Sequence, residues 1–404
     1  MRKIYILDPQ LHSIGGHNLN HDEQLVRDLV RRDIPVKIYG RLDCRVLCEG
    51  LTVEPLFTMD VFSEVAKDAH VWAIENFHGI NEVFFADLCR IPADQFTAYD
   101  FVYFPNLIQN QLYAVSIWLS KMPLERRPVV GIMLRWLNHA MDYVQSRANK
   151  DLIAFYYRFA AQRLIAVQPR ALLCSDTFEL TQIYSKITGI SFLELPNPMD
   201  VSALIPDVCT HKASSEPIIL YQGHSSPLRG FHFLPDIIER CAQLNPRPKF
   251  LIQVQNEADI KNTGLGEYVK LLEGLKGPHV ELVYGNLESK TYYHMLSVAD
   301  IVLLPYSPSF YGYGSSGVFT EAASAGKVIV VSPGTVPARL GKEHNLGVVV
   351  ATKWEPASIA DAVIEALKNY EKLKIKALEG AAAYRSVECA SVLWDRVFGG
   401  LHHV

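Results

Sequence analysis

Cysteine is sparse in this chain of 404 residues and odd in number, seven residues at positions 44, 48, 89, 174, 209, 241 and 389. Cys44 and Cys48 are four apart, not the usual metal-knuckle spacing, so neither a disulfide framework nor a zinc site organises the fold, and reduced structural thiols are expected. Long apolar runs are missing as well. No stretch approaches the roughly eighteen uncharged apolar residues of a membrane span, and the start MRKIYILDP reaches Asp8 too early for a secretory signal. A cytoplasmic protein is therefore expected. A formal net charge of -4 gives no general attraction to nucleic acid. Asp-x-Asp is absent, which removes the common carboxylate clamp for a divalent ion, so no metal site and no cofactor are expected. Internal repeats and low-complexity tracts are absent too.

What the chain does have is apolar mass, 49% of its residues, enough for two cores of ordinary domain size. Apolar runs alternate with amphipathic helical stretches almost throughout, the pattern of parallel sheets covered by helices, and the pattern occurs twice. The first set has expected strands at 3–7, 36–39, 71–74, 101–104, 129–133 and 171–174, with a helix over 21–32. The second has expected strands at 218–222, 249–254, 280–284, 301–304, 328–331 and 348–350. Between them LPNPMDVSALIPDVCTHKASSEP is rich in Pro, Ser and short polar residues, a connection. The expected organisation is an amino-terminal domain over 1–200, a linker over 201–216, a second domain over 217–380, and a final helical segment over 381–404.

The most informative stretch is IVLLPYSPSFYGYGSSGVFTEAASAGKVIVVS, residues 301–332. An apolar strand stops at Pro305, a loop rich in Tyr and Ser follows, and Ser315, Ser316 and Gly317 open a helix continued by Val318. Glycine lets a ligand approach the backbone there, and the unbonded N–H groups at a helix start favour a diphosphate. Glu321 lies one turn further in. A capping box would set Ser and Glu three apart, but three beyond Ser315 and Ser316 stand Val318 and Phe319, so Glu321 is not part of one, which leaves a helix-dipole role or a ligand role. Accepting the two hydroxyls of a ribose suits a carboxylate beside a phosphate-binding turn.

Two other strand-end loops carry similar signals. Gly15 and Gly16, in SIGGH after the first strand, let the chain come close to a ligand beside a helix start, although a tight βα turn explains them equally well. In YQGHSSPLRGF, Gly223, His224, Arg229 and Gly230 follow the strand at 218–222.

These segments resemble the retaining GT-B glycosyltransferases of family 4. That family usually reads Glu, seven residues, Glu before a small-residue helix; Glu321 matches the second Glu, while Tyr313 stands where the first would fall. Its Gly-Arg, four residues, Lys-Gly pattern aligns without a gap on Gly223, His224, Arg229 and Gly230, and LPNPMD is similar to its Pro-Asn-Gly-Val-Asp hinge. The segment VYGNLESKTYYHMLSVADIVLLPY is similar to the region that brings Asn286 and Leu287 to the base pocket. The family's Pro-Val-Val-x-x-x-His aligns on Pro128, Val129 and Val130 and ends on Leu134, with Arg135 and His139 the nearest polar replacements.

The resemblance implies two Rossmann-like doubly wound domains facing a cleft that closes on the substrates, with the carboxyl-terminal helix crossing back onto the first domain. It implies transfer of a sugar from a nucleotide-diphosphate donor to a hydroxyl of a carbohydrate or lipid-linked acceptor, with retention of configuration, in surface polysaccharide or glycolipid synthesis. Arg229, His224, Arg135 and His139 are the catalytic candidates. Gly15, Gly16, Gly223, Asn286, Leu287, Tyr313, Ser315, Ser316, Gly317, Val318 and Glu321 are expected on the donor, and His17 and Asn106 on the acceptor. Two other readings stand beside this one: a nucleotide-sugar-binding partner of a transferase without activity of its own, which Tyr313 and Leu134 would suit, and a nucleotide-sugar 2-epimerase. Residues 101–170 hold nine Lys or Arg against three Asp or Glu, among them Lys121, Arg126, Arg127, Arg135 and Arg147. With Trp118, Trp136 and Phe155-Tyr156-Tyr157 they suggest a peripheral contact with the inner face of a membrane, though a solvated helix accounts for them as well.

Overall fold

The structure is a computed structural model that describes residues 3–12, 17–44, 47–59, 74–135, 147–201, 216–256, 260–261 and 263–402. The chain divides into two compact units, 1–198 with 389–404, and 199–388. In the first unit the strands are β1 (Ile4–Leu7), β2 (Val36–Arg41), β3 (Leu47–Cys48), β4 (Leu51–Thr52), β5 (Glu54–Phe57), β6 (Phe101–Leu107), β7 (Val129–Leu134), β8 (Leu172–Ser175) and β9 (Leu193–Glu194). Seven of them form a parallel sheet in the order β5-β2-β1-β6-β7-β8-β9, while β3 and β4 pair as a small antiparallel hairpin.

Most of the expected strands appear within a residue or two. The strand expected at 71–74 falls mostly outside the described residues, at 71–73, and Ile74 opens a helix, Ile74–Leu88. The strand beside β2 is β5, whose Pro55 breaks the alternation a sequence reading looks for. Proline is tolerated there because β5 is an edge strand, and Leu56 and Phe57 still face the core. The helix expected over 21–32 runs His17–Arg31.

The second unit contains β10 (Ile218–Tyr221), β11 (Lys249–Val254), β12 (Val280–Tyr284), β13 (Ile301–Leu304), β14 (Val328–Val331) and β15 (Val348–Val350), all parallel, in the order β12-β11-β10-β13-β14-β15. Alternate residues feed two cores, as strand geometry requires. Ile219, Tyr221, Ile301 and Leu303 enter one; Leu220, Val302 and Leu304 enter the other, against Phe319, Ala322 and Ala323 of the helix Gly317–Ser324. The small residues after Glu321 therefore do what their size allows, bringing a helix close onto the sheet.

Near the carboxyl terminus the helix Tyr370–Val387 belongs to the second unit and Ala390–His402 to the first. Tyr384, which its spacing groups with the final segment, packs instead in the second unit, edge-on to Phe319. Trp394 is the anchor of the final helix in the first unit. It is fully buried, stands T-shaped to Tyr103 at 5.5 Å, and donates Nε1–H to the carbonyl of Leu25 at 3.1 Å. No described helix is long and apolar enough to cross a membrane.

Candidate functional site

Each sheet reverses its strand order once, between β1 and β6 in the first unit and between β10 and β13 in the second. At such a switch point the loops at the carboxyl ends of the two strands run in opposite directions and leave a crevice, the usual ligand position in an open parallel sheet. In the second unit these loops are 222–230, after β10, and 305–316, after β13. They are bonded to each other: Ser307 donates its N–H to Leu228 O at 2.8 Å, and a Cβ on Gly230 would collide with Pro305 O. Trp354 Nε1 holds the same Pro305 carbonyl at 3.0 Å.

Arg229 sits in this crevice, half-buried. Its Nε donates to the Tyr311 hydroxyl at 2.8 Å, and the guanidinium carbon lies 5.8 Å from the Tyr306 ring centroid. Tyr306 and Tyr311 are themselves stacked at 4.1 Å. Burial pulls the Arg229 pKa down, but the hydroxyls of Tyr311, Tyr306 and Tyr221 outweigh it and hold the value above that of an ordinary arginine. No carboxylate among the described residues forms an ion pair with it. Gly223 makes room for the guanidinium: with φ +105° it lies in a region that favours glycine, and a Cβ there would collide with Arg229 Nη1 and crowd Val318 Cγ2 at 3.3 Å. Gly223 thus brings the cation next to the start of the helix Gly317–Ser324.

That helix is capped by Ser316, whose Oγ accepts from Phe319 N–H at 3.2 Å and donates to the Tyr306 hydroxyl at 3.4 Å. The Ser316 side chain is therefore occupied within the protein. Among the described residues the amides of Gly317 and Val318 have no backbone acceptor, as expected in a first helical turn. Glu321, on the next turn, is only 1% exposed. Its Oε2 accepts the Tyr292 hydroxyl at 2.6 Å and its Oε1 the Tyr293 hydroxyl at 3.4 Å. Burial and the neighbouring carboxylate push the Tyr292 pKa well above the ordinary phenol value. Gln222, itself buried, lies beside the Tyr292 hydroxyl and pulls the other way.

Several of these partners escape a sequence reading. Gln253 is one: its Oε1 accepts Gly223 N–H at 2.8 Å and its Nε2 donates to Gly285 O at 3.1 Å, so one buried amide fixes two strand-end turns. A glutamine inside a run such as KFLIQV, with the next one two residues on, is the only signal the sequence offers. Asn286 and His224 are exposed, while Leu287, Tyr313 and Ser315 are half-buried. Tyr313 donates its N–H to Phe310 O at 3.3 Å.

In the first unit, Gly15, Gly16 and His139 lie outside the described residues, and His17 opens the first helix. Asn106, near the end of β6, is buried, and its Oδ1 has no hydrogen-bond partner among the described residues. Leu134 is a fully buried core residue whose carbonyl accepts the Ser175 hydroxyl. Arg135, next to it, belongs to a hydrogen-bond network. Nη2 lies 2.8 Å from His21 Nε2, Nη1 donates to Asn197 Oδ1 at 3.2 Å, and Nε stands 3.8 Å from Asp176 Oδ2. Since Arg135 can only donate, His21 Nε2 is the acceptor and Nδ1 carries the proton toward Asp22 Oδ1 at 3.2 Å. Burial, then Arg135, lower the His21 pKa well below its ordinary value, which agrees with a neutral ring.

Among the described residues the basic and aromatic segment is divided between core and surface. Trp118 and Tyr157 are buried, so neither is available to a membrane. Arg126 and Arg127 donate to backbone carbonyls of their own unit, and Lys121 lies over the Phe85 ring. Trp136 lies outside the described residues; Phe155 is 55% exposed. Among the described residues no group of three or more His, Cys, Asp or Glu is placed to hold a metal ion.

Comparison with known structures finds the same fold at low identity. Sucrose-phosphate synthase from Thermosynechococcus elongatus is 14% identical with TM-score 0.68, covering 100% of this chain and 98% of that one. Anabaena HepE, in a complex with UDP, is 16% identical with TM-score 0.68 and full coverage of both chains. The α,α-trehalose 6-phosphate synthase from Burkholderia multivorans is 11% identical with TM-score 0.72, covering 100% of this chain and 97% of that one. The architecture, two parallel sheets with flanking helices, is thus that of GT-B structures. A comparison with curated proteins gives no match in sequence. Residues 210–378, a span that contains every part of the switch-point site in the second unit, match the family model of glycosyl transferases group 1.

Proposed function

We propose that the chain is a retaining glycosyltransferase that moves a sugar from a nucleotide-diphosphate donor to an acceptor hydroxyl. The observation that carries this reading is the pairing of Arg229, a half-buried cation with no carboxylate partner among the described residues, with the Gly317 and Val318 amides across Gly223. A buried cation without a counter-ion costs stability, and a site that keeps one beside a helix start is suited to an anion. In this reading the two amides and Arg229 hold the diphosphate, and Glu321 accepts the ribose hydroxyls.

As the bond between the sugar's anomeric carbon and the phosphate oxygen breaks, its electron pair stays on the diphosphate, where Arg229 meets the added charge. The acceptor oxygen then bonds to the anomeric carbon from the same face and its proton passes to the departing phosphate oxygen. This lowers the barrier because the guanidinium binds the transition state more strongly than the donor. The positive groups are the chain's own, so metal-independent transfer is part of the proposal. His17 and Asn106 of the first unit stay the residues proposed to meet the acceptor.

A thermal-shift screen of nucleotide diphosphates and their sugars tests the reading, starting with UDP and UDP-glucose because HepE structures carry both. Stabilisation by one diphosphate, followed by transfer of its sugar with the anomeric configuration unchanged by NMR, is the expected result. Binding with neither transfer nor hydrolysis would favour a nucleotide-sugar-binding partner protein, the reading that Tyr313 and Leu134 suit. No stabilisation by any diphosphate would end the proposal.

A further inference from the structure

We propose that Tyr311 is a positioning residue for Arg229, and that the cage formed by the Tyr311 hydroxyl and the Tyr306 ring around the guanidinium makes arginine, rather than any cation, the residue this site requires. The inference rests on reading Arg229 as the group that meets the donor diphosphate. Its basis is local geometry. An arginine has a donor at Nε in addition to its two terminal nitrogens, and here Nε is held by Tyr311 at 2.8 Å. The Tyr306 ring lies against the guanidinium carbon at 5.8 Å, and Tyr306 is fixed in turn by stacking on Tyr311 at 4.1 Å and by the Ser316 hydroxyl at 3.4 Å.

Such a cage differs from an ion pair in what it leaves available. A carboxylate partner would orient the guanidinium but would also neutralise it; neutral phenols and a π face orient it and leave its charge undiminished for an anion. The Nη1–Nη2 edge, opposite the Tyr311 bond, can then present two parallel donors to phosphate oxygens. A lysine at 229 would keep the charge but lose the Nε donor and the flat face, so neither Tyr311 nor Tyr306 could fix its direction.

The test uses Tyr311→Phe, which keeps the ring and its stack, together with Arg229→Lys and the double variant, in the full chain. A heteronuclear NMR spectrum of arginine Nε–Hε groups, with the Arg229 signal identified by its loss in Arg229→Lys, reads the proposal without any ligand. The Arg229 Hε should exchange slowly in the parent and at least tenfold faster in Tyr311→Phe. With UDP-sugar donor, Tyr311→Phe should lower kcat about tenfold while KM changes less than threefold, Arg229→Lys should be as impaired as Arg229→Ala, and the double variant no worse than Arg229→Lys. Unchanged exchange and unchanged kcat in Tyr311→Phe, full activity in Arg229→Lys, or losses that multiply in the double variant would overturn the proposal. If UDP and inorganic pyrophosphate fail to bind the parent while the slow Arg229 signal depends on Tyr311, the cage stands and the diphosphate reading falls.

Discussion

Tyr292 donates its hydroxyl to Glu321 Oε2 at 2.6 Å, and with Tyr293 on the other oxygen it holds a carboxylate that is almost wholly removed from water. A buried charge is tolerable only when it is hydrogen-bonded, and bonds to charged groups are worth about 1.5–3 kcal/mol each. Removing Tyr292's hydroxyl therefore acts on Glu321 itself. Tyr292→Phe should destabilise the second unit by about 1–3 kcal/mol in urea unfolding. It should also weaken UDP binding, because the ribose would meet a carboxylate no longer held in place. Calorimetry gives the second number; equal Kd values in parent and variant would separate Tyr292 from the ligand.

Glu321→Ala goes one step further, removing the acceptor rather than its support. By the same magnitude, donor-dependent kcat/KM should fall by about one to two powers of ten. Because Tyr292 and Tyr293 also lose their partner, the melting temperature is recorded alongside. A loss of stability without a loss of kcat/KM would make Glu321 a core residue only.

Gly223 offers a sharper geometric test. Gly223→Ala places a methyl against Arg229 Nη1 in a backbone conformation, φ +105°, that side chains rarely adopt. A strain of about 1–3 kcal/mol is expected, relieved by displacing Arg229, so kcat/KM should drop about tenfold or more. Gly266→Ala is the control, since nothing lies within 4 Å of its Cβ position. It should leave both stability and turnover close to the parental values.

Much of this is legible in the sequence because the signals are local. Buried parallel strands read as apolar runs, and a strand end followed by glycine and a helix start is a ligand signal in itself, which is why the ends of 218–222 and 301–304 can be singled out as a candidate site from sequence alone. Arg229 and Gly223 share one short loop. What stays hidden depends on contacts distant in sequence. Tyr311 is 82 residues from Arg229 and Tyr292 is 29 from Glu321. Gln253 reaches Gly223 across 30 residues and Gly285 across 32. A tyrosine in a loop reads as polar surface until the fold shows which side chain its hydroxyl meets. Arg135 shows the same limit, since a charge next to a strand end bonds His21, 114 residues away.

The Arg135 network predicts how the first unit responds to pH. Asp8 is buried, with Oδ1 accepting Gln10 N–H at 2.8 Å, and burial lifts its pKa from 3.8 to about 6, against the opposing pull of the Gln10 amide, Arg135 and Asp22. Asp22 is raised as well, by burial and then by Asp8. A raised carboxyl means the folded chain binds more protons than the unfolded one between about pH 4 and 6. Stability from Asp8 is thus fully present below about pH 4 and is lost as pH rises through 6. A rise from 3.8 to about 6 corresponds to at most about 3 kcal/mol. Asp8→Asn keeps an acceptor for the Gln10 amide and cannot ionise, so it should gain on the parent by about 2–3 kcal/mol between pH 4 and 7 in urea unfolding. His21 acts in the opposite sense, its lowered pKa removing stability as pH falls below about 6.5, but it is present in both chains and largely cancels in the difference. Stability curves for parent and Asp8→Asn that run parallel over that range would show that Asp8 keeps its charge in the folded protein.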